Sequence, residues 1–117
     1  MKISKIKGFS INVQDLLCDI VEEDKCMYIV THGDNTICGF MSVIIRTGFS
    51  INIGSDEIVL SKQQYDPLLR GLLIVQTLIP GVEELTAVLM NTTDSTVRLL
   101  EKTPLLQLIS NKMTSSK

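Results

Sequence analysis

The stretch that decides the fold is Glu84-Leu85-Thr86-Ala87-Val88-Leu89-Met90-Asn91. Its centre, from Leu85 to Met90, is a short apolar run that predicts a β-strand. The polar run from Asn91 to Ser95 predicts the turn that ends this strand. The stretch therefore indicates a sheet protein built from short strands.

Similar short runs lie on both sides of this stretch, each bounded by turn residues such as Gly, Pro, Asn and Asp. The run from Gly48 to Ile53 alternates apolar and polar residues, which is typical of a half-buried strand. The polar segment from Ser61 to Arg70 predicts a loop or a helical turn. The other predicted strands are Ile3–Ile6, Met27–Thr31, Phe40–Arg46, Glu57–Leu60, Leu72–Ile79, Thr96–Leu100 and Leu105–Ile109.

One segment has a different period. From Asn12 to Glu23, apolar residues recur at the spacing of one helical face, and Asn12 is a suitable N-cap. The pattern predicts one short N-terminal helix. The positions that carry it are Val13, Leu16, Leu17, Ile20 and Val21.

The whole pattern predicts a single, mainly all-β domain spanning residues 1–117. Eight to ten short strands, with turns every eight to twelve residues, are typical of a β-sandwich, jelly roll or barrel. A chain of 117 residues has the usual size of one domain. That length can bury a core without disulfides or metal ions.

Composition and charge exclude several classes of function. The formal net charge is −2, which argues against a nucleic-acid partner. The sequence has neither the apolar run of a membrane span nor a visible signal peptide. Cys18, Cys26 and Cys38 form no CxxC pair, and His32 is the sole histidine, so we expect buried free thiols and no metal site. These features predict a soluble, intracellular protein.

The C-terminal half resembles the dUTPase and dCTP deaminase superfamily. In that family a strand of the form Gly-Glu-Leu-x-Val-x-Leu-x-Asn, matched here by Glu84–Asn91, precedes a turn. Lys102-Thr103-Pro104 takes the place of the family's later Lys-Gly-Asp turn, and Leu105–Ile109 that of its Ile-Ala-Gln-Leu-Ile strand. Upstream, Thr47-Gly48 matches a family Thr-Gly. The resemblance covers about residues 26–110 and implies a dUTPase-like jelly-roll or β-clip sandwich.

The family hydrolyses an α–β phosphate bond with water and Mg²⁺, and most of its motif residues are replaced here. The first motif falls near Cys26–Ile29, without a carboxylate, and the second near Gln63–Tyr65, without the cation. In the third, Pro80 follows the strand, and Glu83 stands where an aromatic is expected. Gln107 of the fourth motif is kept. The resemblance thus predicts no catalytic residue, no cofactor and no enzymatic activity.

This pattern resembles dUTPase-derived viral proteins, such as early adenovirus proteins and phage counter-defence proteins, that keep the fold without the reaction. It implies a viral protein in the host cytosol that binds a host protein. The last residue, Lys117, is not the apolar terminus that PDZ domains need, so that partner class is disfavoured.

A nucleotide site is the second possibility, and its residues lie in the polar loop and the fourth motif. Lys62 and Arg70 are candidates to neutralise phosphate, and Tyr65 is a candidate to stack on a base. The predicted nucleotide-binding residues are Gln63, Gln64, Tyr65, Arg70 and Gln107.

Four short segments with acidic residues or histidine are candidate functional sites, but each is interpreted as a surface turn or the end of an element. Asp56-Glu57 and Glu22-Glu23-Asp24 are candidate cation ligands, Glu83-Glu84 a relic of the acidic motif, and His32 with Asp34 a candidate acid–base pair. For each, we expect an ordinary turn or element end.

Three functions remain open. They are an interaction protein without catalysis, a nucleotide-sequestering protein, and a divergent dUTP pyrophosphatase. Consecutive apolar pairs such as Ile44-Ile45 and Leu72-Leu73 predict strands buried on both faces. Together with the family's threefold assembly, they predict a homotrimer.

Overall fold

A computed structural model describes residues 2–24, 26–64, 69–75 and 84–111. Regular structure in these ranges consists of short strands, as the sequence predicts. The strands are β1 (Lys2–Lys5), β2 (Leu16–Glu23), β3 (Cys26–Thr31), β4 (Asn35–Ile37), β5 (Ser42–Arg46), β6 (Phe49–Asn52), β7 (Val59–Gln63), β8 (Leu72–Val75), β9 (Thr86–Asn91), β10 (Val97–Leu99) and β11 (Pro104–Ser110).

Seven of these strands form the main sheet, in the order β7-β11-β3-β2-β5-β9-β8. All neighbours are antiparallel except β2 and β5, which run parallel. Two small ribbons, β1–β6 and β10–β4, accompany the sheet. The sheet curls into a nearly closed barrel. The prediction of a mainly all-β fold is confirmed.

The predicted helix from Asn12 to Glu23 is wrong, because β2 occupies most of that segment. Six residues of β2, from Cys18 to Glu23, pair with β3 in a hairpin. Leu16 and Cys18, two residues apart, are both buried, which is the period of a strand, and Cys18 was not among the positions of the helical pattern. Asn12 caps no helix; its carbonyl accepts a hydrogen bond from the Asp15 amide at 3.0 Å. Pairing on both sides of β2 therefore overrides the local period.

The buried side chains come mainly from the inward faces of the strands. A β-bulge between Pro104 and Leu106 shifts the register of β11 against β3. Leu105 and Leu106 are consequently both fully buried, although adjacent residues normally face opposite sides of a sheet. The other consecutive pairs divide between the faces. Ile45 and Leu72 are buried, whereas Ile44 and Leu73 are each 48% exposed.

The turn after β9 is fixed by Asn91, which is 2% exposed. Its side-chain amide donates to the carbonyl oxygens of Ile37, Cys38 and Ser95 at 2.8–3.2 Å. Its Oδ1 accepts from the Thr93 amide at 3.0 Å. This buried asparagine ties β9 to the end of β4 and satisfies backbone groups that would otherwise lack partners.

Glu84, at the other end of the same stretch, binds Arg46 at the end of β5. Both contacts between the guanidinium and the carboxylate are 2.8 Å long. Asp15 accepts a further hydrogen bond from Arg46 at 3.2 Å, and the Phe9 ring lies 5.1 Å from the guanidinium carbon. The Thr47 hydroxyl donates to the Leu85 carbonyl at 2.7 Å. The polar residues of both matched segments therefore hold the fold together.

Several details differ from the sequence prediction. Phe40 lies in a turn with a φ of 57°, so β5 begins later than expected. Strand β7 continues to Gln63, into the segment predicted as a loop.

Cys18 is buried as expected, but Cys26 is half-buried and Cys38 exposed. The predicted strand end from Gln76 to Ile79 and the tail from Lys112 to Lys117 lie outside the described residues. The described part of the chain contains no helix with the length and hydropathy of a membrane span.

Candidate functional site

A cleft of about 370 Å³ opens on the outer face of β2, β3 and β11. This size falls in the lower range of small-molecule sites. Val21, Val30 and Pro104 provide its apolar lining. Its polar lining consists of Glu23, Tyr28, Gln64 and Lys102.

Strand alternation explains why these side chains meet. In β2, Val21 and Glu23 are two residues apart, as are Tyr28 and Val30 in β3, so each pair shares a face of the sheet. Val21 lies directly opposite Tyr28 in the hairpin. The hairpin therefore presents an aromatic ring, two valines and a carboxylate on one surface.

Tyr28 is half-buried in this surface. Burial raises the pKa of its hydroxyl, as do the neighbouring Cys26, Glu23 and Asp24. The hydroxyl therefore stays protonated and neutral at physiological pH.

A row of polar residues continues from Tyr28 across the sheet. Gln107 in β11 is in register with Tyr28 on one side and with Lys62 in β7 on the other. Directly opposite residues project from the same face. The structure thus brings together the three segments that the resemblance aligns with the family's first, second and fourth motifs.

The turn that carries Lys102 is fixed by hydrogen bonds to β3. The Lys102 amide donates to the Thr31 carbonyl at 2.9 Å, and the Thr31 amide donates to the Thr103 carbonyl at 3.0 Å. The buried Thr31 hydroxyl donates to the Leu100 carbonyl at 2.6 Å. Next to it, the Glu101 amide donates to Asp34 at 2.9 Å. These contacts define the backbone at the mouth of the cleft.

The predicted nucleotide-binding residues occupy different places. Gln64 lines the cleft, and its backbone amide donates to the Leu105 carbonyl at 2.9 Å. Gln107 lies in the adjacent polar row. Arg70 is exposed in the turn before β8, and Tyr65 lies outside the described residues.

Gln63 points away from this group and binds β8. Its Nε2 donates to the Leu72 carbonyl at 2.8 Å, and its Oε1 accepts from the Ile74 amide at 3.0 Å. Both ends of the side-chain amide are therefore engaged between the edge strands of the sheet. The Gln63 side chain therefore has a structural role between β7 and β8.

Among the acidic and histidine candidates, His32, Asp34, Glu57 and Glu84 have structural partners. Asp34 binds Arg98 at 3.1 Å, and the Nδ1 of His32 lies 2.9 Å from Asp19 rather than pairing with Asp34. The hydrogen bond from the Glu101 amide, followed by that from Arg98, lowers the pKa of Asp34. Glu57 is buried and accepts a hydrogen bond from the Ser110 hydroxyl. Glu83 lies outside the described residues.

Sequence reasoning missed Lys102 as part of a site, and it considered Glu23 only as one of three candidate cation ligands. Glu23 was expected at the end of a helix and Lys102 in an ordinary turn. The two residues share one feature, which is that each lies at the end of a strand. Glu23 is the last residue of β2, and Lys102 comes just before β11. Within the described ranges, no three His, Cys, Asp or Glu side chains come together in a way that could hold a metal ion.

Comparisons with known proteins support the fold. No family model matches the chain, and no curated protein matches it. Among solved structures, it is similar to the native EIAV dUTPase, with 24% sequence identity and a TM-score of 0.64. The match covers 78% of this chain and 80% of that chain. This likeness shows a dUTPase-like fold.

The comparison also corrects one prediction. The chain was expected not to be an enzyme, and this expectation is contradicted because the similar structure is a dUTPase, which is an enzyme. The role as a non-catalytic interaction protein is likewise not supported. The viral source, the host cytosol and the host partner stay predictions. What the comparisons establish for this chain is a dUTPase-like fold.

Proposed function

We propose that the chain is a divergent nucleotide pyrophosphatase that binds a nucleoside triphosphate such as dUTP in the cleft. One observation carries this proposal: the cleft joins an aromatic ring, a cation, an amide and a carboxylate. Two of its lining residues, Tyr28 and Gln64, lie in the segments that the resemblance aligns with the family's first and second motifs. The similar structure is named as a dUTPase, which supports dUTP as the first substrate to test.

Each polar side chain of the cleft suits one part of a nucleotide. The Tyr28 ring offers a face on which a base stacks, with Val21 and Val30 as apolar walls. Lys102 provides the positive charge that a phosphate requires. The Gln64 amide hydrogen-bonds either a phosphate oxygen or a base edge.

Glu23 is the candidate general base. Its carboxylate orients a water molecule and accepts its proton as the water oxygen attacks the α-phosphorus. A new oxygen–phosphorus bond forms, the bond from the α-phosphorus to the bridging oxygen breaks, and pyrophosphate leaves with the bridging oxygen. A nucleoside monophosphate remains.

Assembly into a homotrimer is part of the proposal. On the outer face of β5, β9 and β8, Ile44, Val88 and Val75 form one row across the strands, and Met90 and Leu73 lie in the next. These five side chains are 38–50% exposed in the single chain. Contacts between copies of the chain would cover this apolar face.

A thermal-shift screen with product analysis tests the function. The full-length chain is heated with dUTP, dCTP, dATP, UTP and cyclic dinucleotides, with and without Mg²⁺, and released pyrophosphate is measured. We expect dUTP to raise Tm and to be converted to dUMP. A ligand at one hundred times its Kd stabilises the native state by about 2.7 kcal/mol. A shift without pyrophosphate would leave only sequestration, and no shift with any nucleotide would refute the proposal.

Two neighbouring glutamates provide a matched pair of variants. Glu23→Gln removes the carboxylate of the cleft while keeping its shape and hydrogen-bonding ability. Glu22→Gln makes the same change on the other face of β2, opposite Met27. We expect Glu23→Gln to retain the dUTP shift and to lose at least about 100-fold in turnover, since general bases contribute roughly this factor. Equal turnover in both variants would exclude Glu23 as the base.

A further inference from the structure

Lys102 combines an unfavourable backbone conformation with a place in the cleft. Its φ is 61°, in the left-handed region where a side chain clashes with its own backbone. Glycine adopts this conformation without that strain. Lys102 is therefore not the residue that local stability selects at this position.

The turn leaves Lys102 little freedom to relax. Its amide is bound to the Thr31 carbonyl, and the next amide, of Thr103, donates to the Leu100 carbonyl at 3.2 Å and the Thr31 hydroxyl at 2.9 Å. Thr31 itself is fully buried. Strained residues persist where surrounding contacts fix them, and they are often found at functional sites.

We propose that Lys102 is the phosphate-binding residue of the cleft and that its strained backbone is retained for this role. The inference rests on the proposed function and assigns the binding of the substrate's phosphates to one residue. Lys102 lines the cleft together with Tyr28 and Gln64. Lys62 and Arg70, the cations that the sequence suggested, are not among the lining residues.

The inference predicts that one substitution changes stability and affinity in opposite directions. Lys102→Gly relieves the strain, so Tm should rise by about 3 °C. The same change removes the cation, so Kd for dUTP and for inorganic tripolyphosphate should increase about tenfold or more. Lys102→Ala should weaken binding equally without raising Tm, and Lys102→Arg should retain binding.

Two further variants separate strain from charge. Phe40 has a φ of 57° and is 73% exposed at a turn outside the cleft. Phe40→Gly should raise Tm as Lys102→Gly does, with no change in affinity. Lys5→Ala removes an exposed charge from β1 and should change neither quantity.

Calorimetric titration of the full-length wild type and variants, together with melting curves, tests the inference. Unchanged affinity in Lys102→Gly, or a lower Tm, would overturn it even if dUTP is bound and hydrolysed. If the wild type binds tripolyphosphate through Lys102 but does not bind dUTP, the phosphate role stands and the proposed function fails. Binding of neither probe to the wild type would overturn both.

Discussion

Gln63 bridges to Leu72 across the two edge strands of the main sheet. Its side-chain amide donates to the Leu72 carbonyl at 2.8 Å, and its Oε1 accepts from the amide of Ile74 at 3.0 Å. The side chain thereby occupies the place of a backbone peptide from a neighbouring strand. Strands β7 and β8, at opposite ends of the strand order, are joined by this contact.

Removing this bridge should destabilise the fold. Gln63→Ala leaves the Leu72 carbonyl and the Ile74 amide without these partners, which we expect to lower the free energy of unfolding by about 1–3 kcal/mol. Urea denaturation measures the change. Gln64→Ala is the control, since its side-chain amide donates only to the nearby Lys62 carbonyl at 3.2 Å in an exposed position. Equal effects of the two substitutions would show that the bridge contributes nothing.

Asn91 should be the most sensitive polar residue of the fold. Asn91→Asp removes the donor to three carbonyl oxygens and places a charge in a buried position. We expect a loss of at least about 3 kcal/mol, measured by calorimetry. Asn52→Asp, at an exposed end of β6, should stay within about 0.5 kcal/mol of the wild type. A mild effect at Asn91 would contradict its role as the anchor of the turn.

Glu84 should make stability depend on acid pH. Burial alone would raise its pKa, but hydrogen bonds from Arg46 and from the backbone amides of Gly48 and Thr47 outweigh this and lower it below 4.5. A carboxylate with a lowered folded-state pKa stabilises the protein above its unfolded pKa, and this stability is lost as pH falls through the folded pKa. We therefore expect the free energy of unfolding to decrease as the pH is lowered below about 4.5.

Glu84→Gln isolates that contribution. The variant should be less stable than the wild type at pH 7, and the difference should shrink as pH falls toward 3. Melting curves between pH 3 and 7 measure it, with Glu101→Gln at an exposed turn as the control. A constant difference across this range would contradict the ionic role of Glu84.

The three thiols should react at different rates. Cys38 is exposed and should react first with a thiol reagent, followed by the half-buried Cys26. Burial and the neighbouring Asp19 raise the pKa of Cys18 to about 12, so this thiol should react only after unfolding. Mass spectrometry of the labelled chain identifies the order. Fast labelling of Cys18 in the native protein would contradict the placement of β2.

The proposed trimer can be tested by light scattering. The wild type should have three times the 13.0 kDa mass of one chain. Val88→Lys, in the centre of the exposed apolar face, should dissociate it, whereas Thr96→Lys at an exposed turn should not. A monomeric wild type would exclude the assembly.

Much of the fold could be predicted from the sequence because strand period and turn residues are local signals. Leu85–Met90 and Leu105–Ile109 were predicted within one or two residues of β9 and β11. The segment around β2 was predicted incorrectly as a helix, because Leu16 and Ile20 fit both a helical and a strand pattern. Pairing with β3 and β5, which is not a local property, decides between the two.

The site was harder to predict than the fold. Glu23, Tyr28 and Lys102 are separated in sequence and come together only through the hairpin and the turn before β11. The resemblance to the family indicated Gln63 as a binding residue, but its side-chain amide instead joins β7 to β8. Side chains that meet across strands depend on register, which the sequence alone left open.

The location of the ligand is the central claim, and chemical-shift mapping tests it most directly. Titration of the isotope-labelled chain with dUTP should shift the backbone amides of Val21, Tyr28, Val30, Gln64 and Lys102, and leave those of Ile44, Val75 and Val88 unchanged. Saturating shifts confined to the cleft would support the account. Shifts elsewhere, or none at millimolar dUTP, would contradict it.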